Sequence, residues 1–212
     1  MTMVEIIIDG VTKRYGRVAA LEDVSVAVRS GSIHALVGPN GSGKTTLIRL
    51  LAGIDRPTSG CIEHDSVAVG VSFQHPRVFP SLTVDENLDV FASMADHRPT
   101  PAWIDEVCDS IRLTPVRHRR AGDLSGGFAK KLDIALAVLK RPDLLLMDEP
   151  LADVDAQSRT DISSFIGDFR RDNRTIIIST HAYEMFEPIL DRVTLLVDGR
   201  VRADGTPEDL ER

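Results

Sequence analysis

The stretch LVGPNGSGKTTLIRL (residues 36–50) joins a short apolar segment to a helical pattern. Its central part fits the spacing G-x-x-x-x-G-K-[ST], in which the glycines let successive backbone N–H groups approach phosphate oxygens. The following helix start adds positive potential, Lys44 can reach the outer phosphates, and the Thr45 hydroxyl can ligate Mg²⁺. The alternative is a glycine-rich turn without a ligand, which the correctly placed strand and helix disfavour. The predicted nucleotide-binding residues of this loop are Gly38, Pro39, Asn40, Gly41, Ser42, Gly43, Lys44, Thr45 and Thr46.

Strand-length apolar runs alternate with helical patterns on both sides of this loop. Several of the runs are apolar throughout, as expected for strands that are covered on both faces. The sequence therefore predicts an α/β fold with a largely parallel sheet. The predicted strands are 4–9, 24–28, 33–37, 67–72, 143–147, 175–179 and 192–197, and the predicted helices are 44–52, 126–140 and 156–169.

The middle of the chain, from about residue 76 to 122, has no strand pattern. Thr83 and Glu86 have the T-x-x-E spacing of a capping box, which predicts a helix start, and a second helix is expected after Pro101. We expect an α-helical subdomain inserted between two halves of the α/β unit.

Composition narrows the class of protein. The 212 residues carry 25 Lys and Arg against 32 Asp and Glu, a net charge of -7, which argues against a nucleic-acid-binding surface. The basic cluster 117–120 is expected to be a solvated loop, and Cys61 and Cys108 to be reduced thiols of the cytosol. The N-terminus does not have the pattern of a signal peptide, and no apolar run is long enough to span a membrane. A membrane role is therefore expected to require a partner.

A second feature complements the phosphate loop. In LLLMDEP (residues 144–150), Asp148 follows a buried strand and can orient Mg²⁺, while Glu149 can accept a proton from an attacking water. A strand that ends in solvated acids is the alternative reading of this pair. The phosphate loop earlier in the chain favours the catalytic interpretation.

The stretch DLSGGFAKKLDIAL (residues 123–136) contains a second glycine-rich helix start, although one nucleotide needs only one. With this stretch the chain resembles the ATP-binding cassette (ABC) proteins over nearly all of its length. The resemblance implies a P-loop NTPase core with an N-terminal antiparallel β-subdomain, and ATP and Mg²⁺ as cofactors. It also implies that Ser125, Gly126 and Gly127 close over ATP held by a second cassette, docked head to tail.

Four further residues match the family in order along the chain. By the resemblance, Tyr15 in KRYG stacks on adenine, and Gln74 in VSFQHP contacts Mg²⁺ and water. Asp155 in LADVD communicates across the dimer, and His181 in STHAYE contacts the γ-phosphate. Each residue alone would be unremarkable, and the order of all the motifs supports the assignment. The implied catalytic residues are Glu149, His181, Gln74 and Lys44, and the implied Mg²⁺ ligands are Thr45, Gln74 and Asp148.

The sequence departs from the family at three places. Phe128 stands where Gln, Glu or Met is common, which puts that side-chain contact in doubt and leaves the backbone donors intact. Asp153 replaces a residue that is often small, and the segment from Gly60 to Gln74 is shorter than usual, which suggests a trimmed hairpin. The single tryptophan, Trp103, is expected to pack inside the helical subdomain.

The resemblance implies the ATPase subunit of a membrane transporter, bound to separate membrane subunits and to a second, identical or different, cassette. Residues 1–212 would form a single ABC ATPase domain, with 1–74 and 141–212 as core and about 75–140 as helical subdomain. The protein would be cytoplasmic, peripheral on the inner face of the cell membrane. A soluble ABC ATPase and a regulatory subunit with little turnover are the alternatives. The run KKLDIA (residues 130–135) resembles the run common in export-type cassettes, which favours export over import.

Overall fold

The computed structural model describes residues 6–64, 68–95, 97–170 and 173–210. Three strands form an antiparallel sheet in the order β2-β1-β4, namely β1 (Ile6–Tyr15), β2 (Val18–Val28) and β4 (Ser59–Glu63). The buried side chains of β1 and β2 pack against the helix after the phosphate loop, α1 (Lys44–Leu51). This sheet is the predicted antiparallel β-subdomain, which the structure confirms.

A second sheet has six strands in the order β5-β6-β7-β3-β8-β9. The first five are parallel and β9 is antiparallel to β8. Three neighbouring strands are buried along their whole length, as their continuous apolar runs predicted. The strands are β3 (Ile33–Val37), β5 (Val69–Ser72), β6 (Leu144–Asp148), β7 (Thr175–Thr180), β8 (Arg192–Val197) and β9 (Arg200–Gly205). Because carboxyl ends of parallel strands share one edge, β3, β6 and β7 place the phosphate loop, Asp148 and Thr180 together.

Helices cover the sheet and form the inserted subdomain. They are α2 (Val84–Ser93), α3 (Pro101–Ser110), α4 (Gly126–Val138), α5 (Ala156–Phe169) and α6 (Pro207–Leu210), with 3-10 turns at Thr114–Val116, Ala121–Asp123, Tyr183–Met185 and Glu187–Ile189. The capping box is confirmed, because the Thr83 hydroxyl accepts the Glu86 N–H at 3.1 Å and the Glu86 carboxylate accepts the Thr83 N–H at 2.7 Å. No helix within the described ranges is long and apolar enough to cross a membrane.

The inserted helices pack into the same core as one face of the six-stranded sheet, since buried side chains such as Leu88 of α2 and Ile176 of β7 belong to one cluster. Trp103 is buried there, and its indole N–H donates to the Leu139 carbonyl at 3.1 Å, which confirms the expected packing role. The expectation of a solvated basic loop was wrong for Arg117, whose guanidinium bonds Asp85 at the start of α2 and Asp105 in α3. Both carboxylates raise the pKa of Arg117, so this residue joins two helices as a permanent cation.

Element boundaries show where sequence periodicity falls short. β1 continues to Tyr15 and β2 starts at Val18, well beyond the predicted strands, because register shifts interrupt the alternation of buried and exposed positions. β4 is mostly exposed and β9 alternates polar with apolar residues, so neither strand has an apolar run. Residues 4, 5 and 67 of the predicted strands lie outside the described residues. Both cysteines are free thiols, Cys61 exposed and Cys108 buried.

Candidate functional site

The phosphate loop has a backbone that only glycine fits at two of its positions. Gly38 has φ 151° and a Cβ there would lie 2.1 Å from the Leu196 carbonyl oxygen. Gly43 has φ 104° and a Cβ there would lie 2.6 Å from the Ala20 carbonyl oxygen. Gly43 caps α1 without a side-chain hydrogen bond, so no side chain of the cap competes for the first N–H groups of the helix. The loop is therefore built to present backbone donors to an anion.

Lys44 is held across the mouth of this loop. Its side chain is only 6% exposed, and its ammonium donates to the carbonyls of Gly38 at 2.7 Å and Pro39 at 3.2 Å. The same ammonium lies 3.6 Å from a carboxylate oxygen of Glu149. The hydroxyl of Ser42 is buried in the loop and has no hydrogen-bond partner among the described residues. A buried cation and an unpaired buried hydroxyl are the groups that a phosphate would satisfy.

A cavity of about 350 Å³ opens at this loop. It is lined by Ala20, Asn40, Gly41, Ser42, Gly43, Lys44, Thr45, Thr46, Gln74 and Glu149. Two larger cavities of about 700 and 560 Å³ lie beside α2 and α3 and beside α5. Chemistry rather than size selects the smaller one, because it alone among these three contains the phosphate loop and a buried Lys–Glu pair.

The predicted acidic pair lies at the same place. Asp148 ends β6, and one oxygen of its carboxylate accepts hydrogen bonds from the hydroxyls of Thr45, at 3.1 Å, and Ser179. Glu149 has φ 48°, a left-handed conformation that is uncommon for a residue with a side chain. Its backbone N–H donates to the Ser179 carbonyl at 3.0 Å, which fixes this turn against β7. The pair is thus positioned by Ser179, a residue that the sequence analysis missed.

His181 completes this group of side chains. Its Nδ1 lies 3.0 Å from the second carboxylate oxygen of Glu149, while the ring is 59% exposed. Glu149 therefore bridges Lys44 on one side and His181 on the other. A carboxylate between two donors and beside a phosphate loop can accept a proton from a water that attacks a phosphate.

The oxygen ligands at this edge of the sheet suit Mg²⁺. Thr45, Asp148 and Gln74 offer a hydroxyl, a carboxylate and an amide oxygen, which are hard oxygen ligands. Within residues 6–64, 68–95, 97–170 and 173–210, no group of three or more His, Cys, Asp or Glu side chains could hold a metal by itself. Mg²⁺ needs no such cage, because it keeps several waters and takes further ligands from substrate phosphates. The residues fit a metal that binds together with a nucleotide.

Gln74 follows β5, and side chains of α4 form hydrogen bonds with the residues before and after Gln74. The Lys130 ammonium donates to the carbonyls of Phe73 and Gln74, the latter at 3.2 Å. The Asp133 carboxylate accepts the Ser72 hydroxyl at 2.6 Å and the N–H of residue 77 at 2.8 Å. Burial lowers the pKa of Lys130 and raises the pKa of Asp133. Charged residues within the apolar pattern of α4, among them a lysine and an aspartate three positions apart, were the available signal for this pair.

Tyr15 lies at the end of β1 and is 48% exposed. Its hydroxyl donates to the Asp55 carboxylate at 2.8 Å. Burial, followed by the hydrogen bond to Asp55, raises the pKa of Tyr15, and the Arg49 charge and then the Thr46 side chain oppose that effect. Because Thr46 also lines the phosphate cavity, Tyr15 lies next to that cavity.

The Ser-Gly-Gly stretch is not part of this cavity. Among the described residues that line the cavity, Ser125, Gly126 and Gly127 are absent. Ser125 caps α4 by accepting the N–H of Phe128 at 3.5 Å, and Ser125 and Gly126 are exposed. Phe128 packs partly against the core, so its side chain is directed to its own subunit rather than left free. The structure keeps the two glycine-rich helix starts apart.

Gly127 instead packs against the start of α5. A Cβ at Gly127 would lie 2.3 Å from the Ser158 hydroxyl and 2.4 Å from the Asp155 carboxylate. Asp155 caps α5 by accepting the Ser158 N–H at 3.0 Å. Asp153 adopts φ 56°, a left-handed conformation that aspartate tolerates better than most residues. The first turns of α4 and α5 therefore pack directly against each other.

Comparison with known proteins agrees with this geometry. The family model described as ABC transporter matches residues 21–152. The chain belongs to the ABC transporter family. The chain corresponds to the ATP-binding domain of this family. The predicted P-loop NTPase fold is confirmed.

Curated relatives of this ABC protein include import and resistance proteins. It is 36% identical, over 97% of its length, to the sulfate/thiosulfate import ATP-binding protein CysA 1 of Agrobacterium fabrum (strain C58). It spans 64% of that relative, less than two thirds of its length. It is 31% identical over 97% of its length to the daunorubicin resistance ATP-binding protein DrrA3 of Streptomyces coeruleorubidus, and spans 69% of it.

Solved structures show the same fold. A bacterial Atm1-family ABC exporter with ATP bound matches 99% of the chain with a TM-score of 0.87 and 26% identity, and the match covers 40% of the exporter chain. Import and export proteins thus both resemble this chain, and export stays a prediction.

Proposed function

We propose that this chain is the ATP-binding and hydrolysing subunit of an ABC membrane transporter. The observation that carries the proposal is the position of Glu149, whose carboxylate lies between Lys44 of the phosphate loop, at 3.6 Å, and His181, at 3.0 Å. Beside it, Asp148 and the Thr45 hydroxyl meet at 3.1 Å. A proton acceptor, two donors and a metal-ligating pair converge on a cradle for phosphate.

In the proposed mechanism the loop binds the triphosphate of ATP through its backbone N–H groups and Lys44. Thr45, Asp148 and Gln74 would hold Mg²⁺, which when bound neutralises charge on the phosphate oxygens. Glu149 orients an attacking water and accepts its proton, and Lys44 and His181 stabilise the negative charge on the outer phosphate. Tyr15 stacks on the adenine ring.

A second cassette completes the site. Ser125 and Gly126 are exposed at the start of α4, outside the cavity of their own subunit, and a helix start of this kind favours an anion. We infer that these residues and Gly127 bind the ATP of a partner cassette, and that Asp155 lies at the shared face.

The membrane partner is proposed to bind near residues 75–88, which follow Gln74 and carry the start of α2. The protein would then lie on the cytoplasmic face of the membrane, with residues 1–212 as one ATPase domain and about 75–140 as its helical subdomain. A soluble ABC ATPase is disfavoured, because relatives over 97% of the chain are named for import and drug resistance. A regulatory subunit with little turnover is disfavoured by the Glu149–His181 contact.

The test is the variant Glu149→Gln, which keeps the shape of the side chain and removes the base. We expect ATP binding to persist while steady-state ATPase activity falls about a hundredfold or more. The variant should also dimerise when ATP is added, as measured by light scattering. Since it does not hydrolyse the bound ATP, the ATP-bound dimer should not dissociate. Parental turnover in the variant contradicts the assignment of the base. A strictly monomeric variant with ATP and the membrane partner present contradicts the shared site.

A further inference from the structure

Asp55 holds the aromatic side chain at the edge of the nucleotide site. One oxygen of its carboxylate accepts the Tyr15 hydroxyl at 2.8 Å and the Arg49 guanidinium at 2.9 Å. Arg49 belongs to α1, the helix that begins with Lys44 of the phosphate loop. Through this one oxygen, the ring of Tyr15 is tied to the helix that carries the phosphate loop.

The loop that contains Asp55 is itself fixed to β1. The N–H of Thr58 donates to the Thr12 carbonyl at 2.7 Å, and the Thr58 hydroxyl accepts the N–H of residue 14 at 3.0 Å. The Lys13 ammonium donates to the Arg56 carbonyl at 2.7 Å. The Asp55 N–H also donates to the Arg49 carbonyl at 3.2 Å, so bonds at Asp55 and just after it keep its carboxylate in place against the end of the strand that carries Tyr15.

One face of the Tyr15 ring is already covered. The Lys13 ammonium lies over the ring, 4.9 Å from its centroid, in the geometry of a cation–π contact. The ring is nevertheless 48% exposed, so a flat ligand would stack on its other face. A ring that is free to rotate about its side-chain bonds would lose conformational entropy on stacking, and a ring already held by a hydrogen bond loses less.

We infer that Asp55 is a positioning residue for the nucleobase, because its hydrogen bond to the Tyr15 hydroxyl holds the ring ready to stack on the base of a bound nucleotide. This inference rests on the proposed function, in which Tyr15 contacts adenine. The hydroxyl remains a donor over the working pH range, because burial and the Asp55 carboxylate raise the pKa of Tyr15. The bond is charge-assisted, and such bonds are stronger than neutral ones.

The test compares ADP with inorganic pyrophosphate, which offers the phosphates without the base. Binding of both is measured by isothermal titration calorimetry on the full chain and its variants. We expect Asp55→Ala and Tyr15→Phe each to weaken ADP binding about threefold to tenfold, a part of the stacking energy of one base. Binding of pyrophosphate should not change. The double variant should bind ADP no more weakly than the single ones, because both remove the same bond.

Two further variants separate the possible outcomes. Glu22→Ala is the matched control. It removes a carboxylate that lies 3.0 Å from the Arg200 guanidinium and is not bonded to Tyr15, and it should bind ADP like the parent. Tyr15→Ala should weaken ADP binding more than Tyr15→Phe. Parental ADP affinity in Tyr15→Ala would overturn the adenine contact in the proposed function itself.

The role of Asp55 is tested separately from the adenine contact of Tyr15. If Tyr15→Ala binds ADP more weakly while Asp55→Ala and Tyr15→Phe bind ADP like the parent, Asp55 is not a positioning residue. The adenine contact of Tyr15 would still hold. Equal weakening of ADP and pyrophosphate in Asp55→Ala would also overturn the positioning role of Asp55, because the effect would then pass through Arg49 to the phosphate loop. If Asp55→Ala folds poorly by its thermal midpoint, Tyr15→Phe decides alone, since it keeps the Arg49–Asp55 ion pair.

Discussion

The side-chain nitrogen of Lys130 lies 3.2 Å from the main-chain carbonyl oxygen of Gln74. Lys130 belongs to the helix that starts with the Ser-Gly-Gly stretch, and Gln74 lines the phosphate cavity. Asp133, one turn further along the same helix, accepts the Ser72 hydroxyl on the other side of Gln74. The proposed contact with a partner's nucleotide and the proposed metal ligand are therefore joined by one rigid element.

Replacing Lys130 with Met tests this connection. The change removes the bonds to the carbonyls of Phe73 and Gln74 and keeps most of the side-chain volume. We expect kcat of ATP hydrolysis to fall about tenfold through misplacement of Gln74, with little change in the affinity for ATP. The measurement is steady-state ATPase activity together with equilibrium binding of ATP.

Lys131→Met is the matched control for that change. Lys131 is as buried as Lys130 and sits on the same helix, but its ammonium pairs with Asp161 of α5 at 2.6 Å. Both variants lose a buried ammonium group together with its hydrogen bonds, and thermal unfolding should register both losses. Equal falls in kcat for the two variants would show that lost stability, and not the placement of Gln74, explains the effect.

The two glycines at the start of α4 respond differently to an added methyl group. A Cβ at Gly126 would meet only the Asp153 carbonyl oxygen, at 3.4 Å, which is an ordinary van der Waals contact. We expect Gly126→Ala to keep the parental thermal midpoint and to lose most ATPase activity, because the methyl group would meet the partner's nucleotide. Activity at the parental level in a folded Gly126→Ala would remove the basis for the shared site.

Gly127→Ala is the structural counterpart. Its methyl group would lie 2.3 Å from the Ser158 hydroxyl and 2.4 Å from the Asp155 carboxylate within the same chain. Overpacking of this kind destabilises a fold by about 1–3 kcal/mol. The thermal midpoint should therefore fall for Gly127→Ala and not for Gly126→Ala, as differential scanning calorimetry can show.

Ser179 is expected to set the requirement for magnesium. Its hydroxyl donates to the Asp148 carboxylate, and its carbonyl accepts the N–H of Glu149 at 3.0 Å. Ser179→Ala removes the hydroxyl, which donates to Asp148 and also accepts the Glu149 N–H at 3.2 Å, and keeps the carbonyl that accepts the same N–H. We expect the Mg²⁺ concentration for half-maximal ATPase activity to rise severalfold, because a free Asp148 carboxylate is less well oriented for the metal waters. An unchanged Mg²⁺ titration, with parental stability, would contradict this role.

The sequence predicted the parts whose signal is local. The phosphate loop requires glycine at Gly38 and Gly43 for close backbone contacts, and such requirements are visible in the residues themselves. Buried parallel strands such as β6 and β7 have continuous apolar runs for the same reason. These features led to the fold and to the residues that the structure places around Lys44 and Glu149.

The parts that sequence could not supply depend on contacts between distant segments. The Ser179 contact with Asp148 follows from the parallel register of β6 and β7, which pairs these two positions. The bond between Asp55 and Tyr15 spans 40 positions, and that between Lys130 and the Gln74 carbonyl spans 56. No spacing rule reaches so far along a chain. The exposed strand β4 was missed because it pairs through its backbone and buries little.

His34 lies on β3 away from the nucleotide site and supplies a prediction about pH. Its Nε2 lies 2.7 Å from the Thr194 hydroxyl, which itself donates to Asp204 at 2.7 Å, so Nε2 carries the proton of the neutral ring. Nδ1 is buried without a hydrogen-bond partner in the described part of the chain. Burial lowers the pKa of His34 to about 4, although the Asp204 carboxylate favours the charged form.

This shift makes the stability of the protein fall on the acid side of neutrality. The unfolded chain takes up a proton at His34 near pH 6.5, whereas the folded chain does so only near pH 4, so acid favours unfolding between these values. The free energy of unfolding should lose up to about 3 kcal/mol from this residue over that range. His34→Leu removes the ionisable ring and leaves Asp204 and Arg192 in place, so its urea unfolding curves should depend less on pH. The same pH slope in parent and variant would show that His34 is not the group responsible.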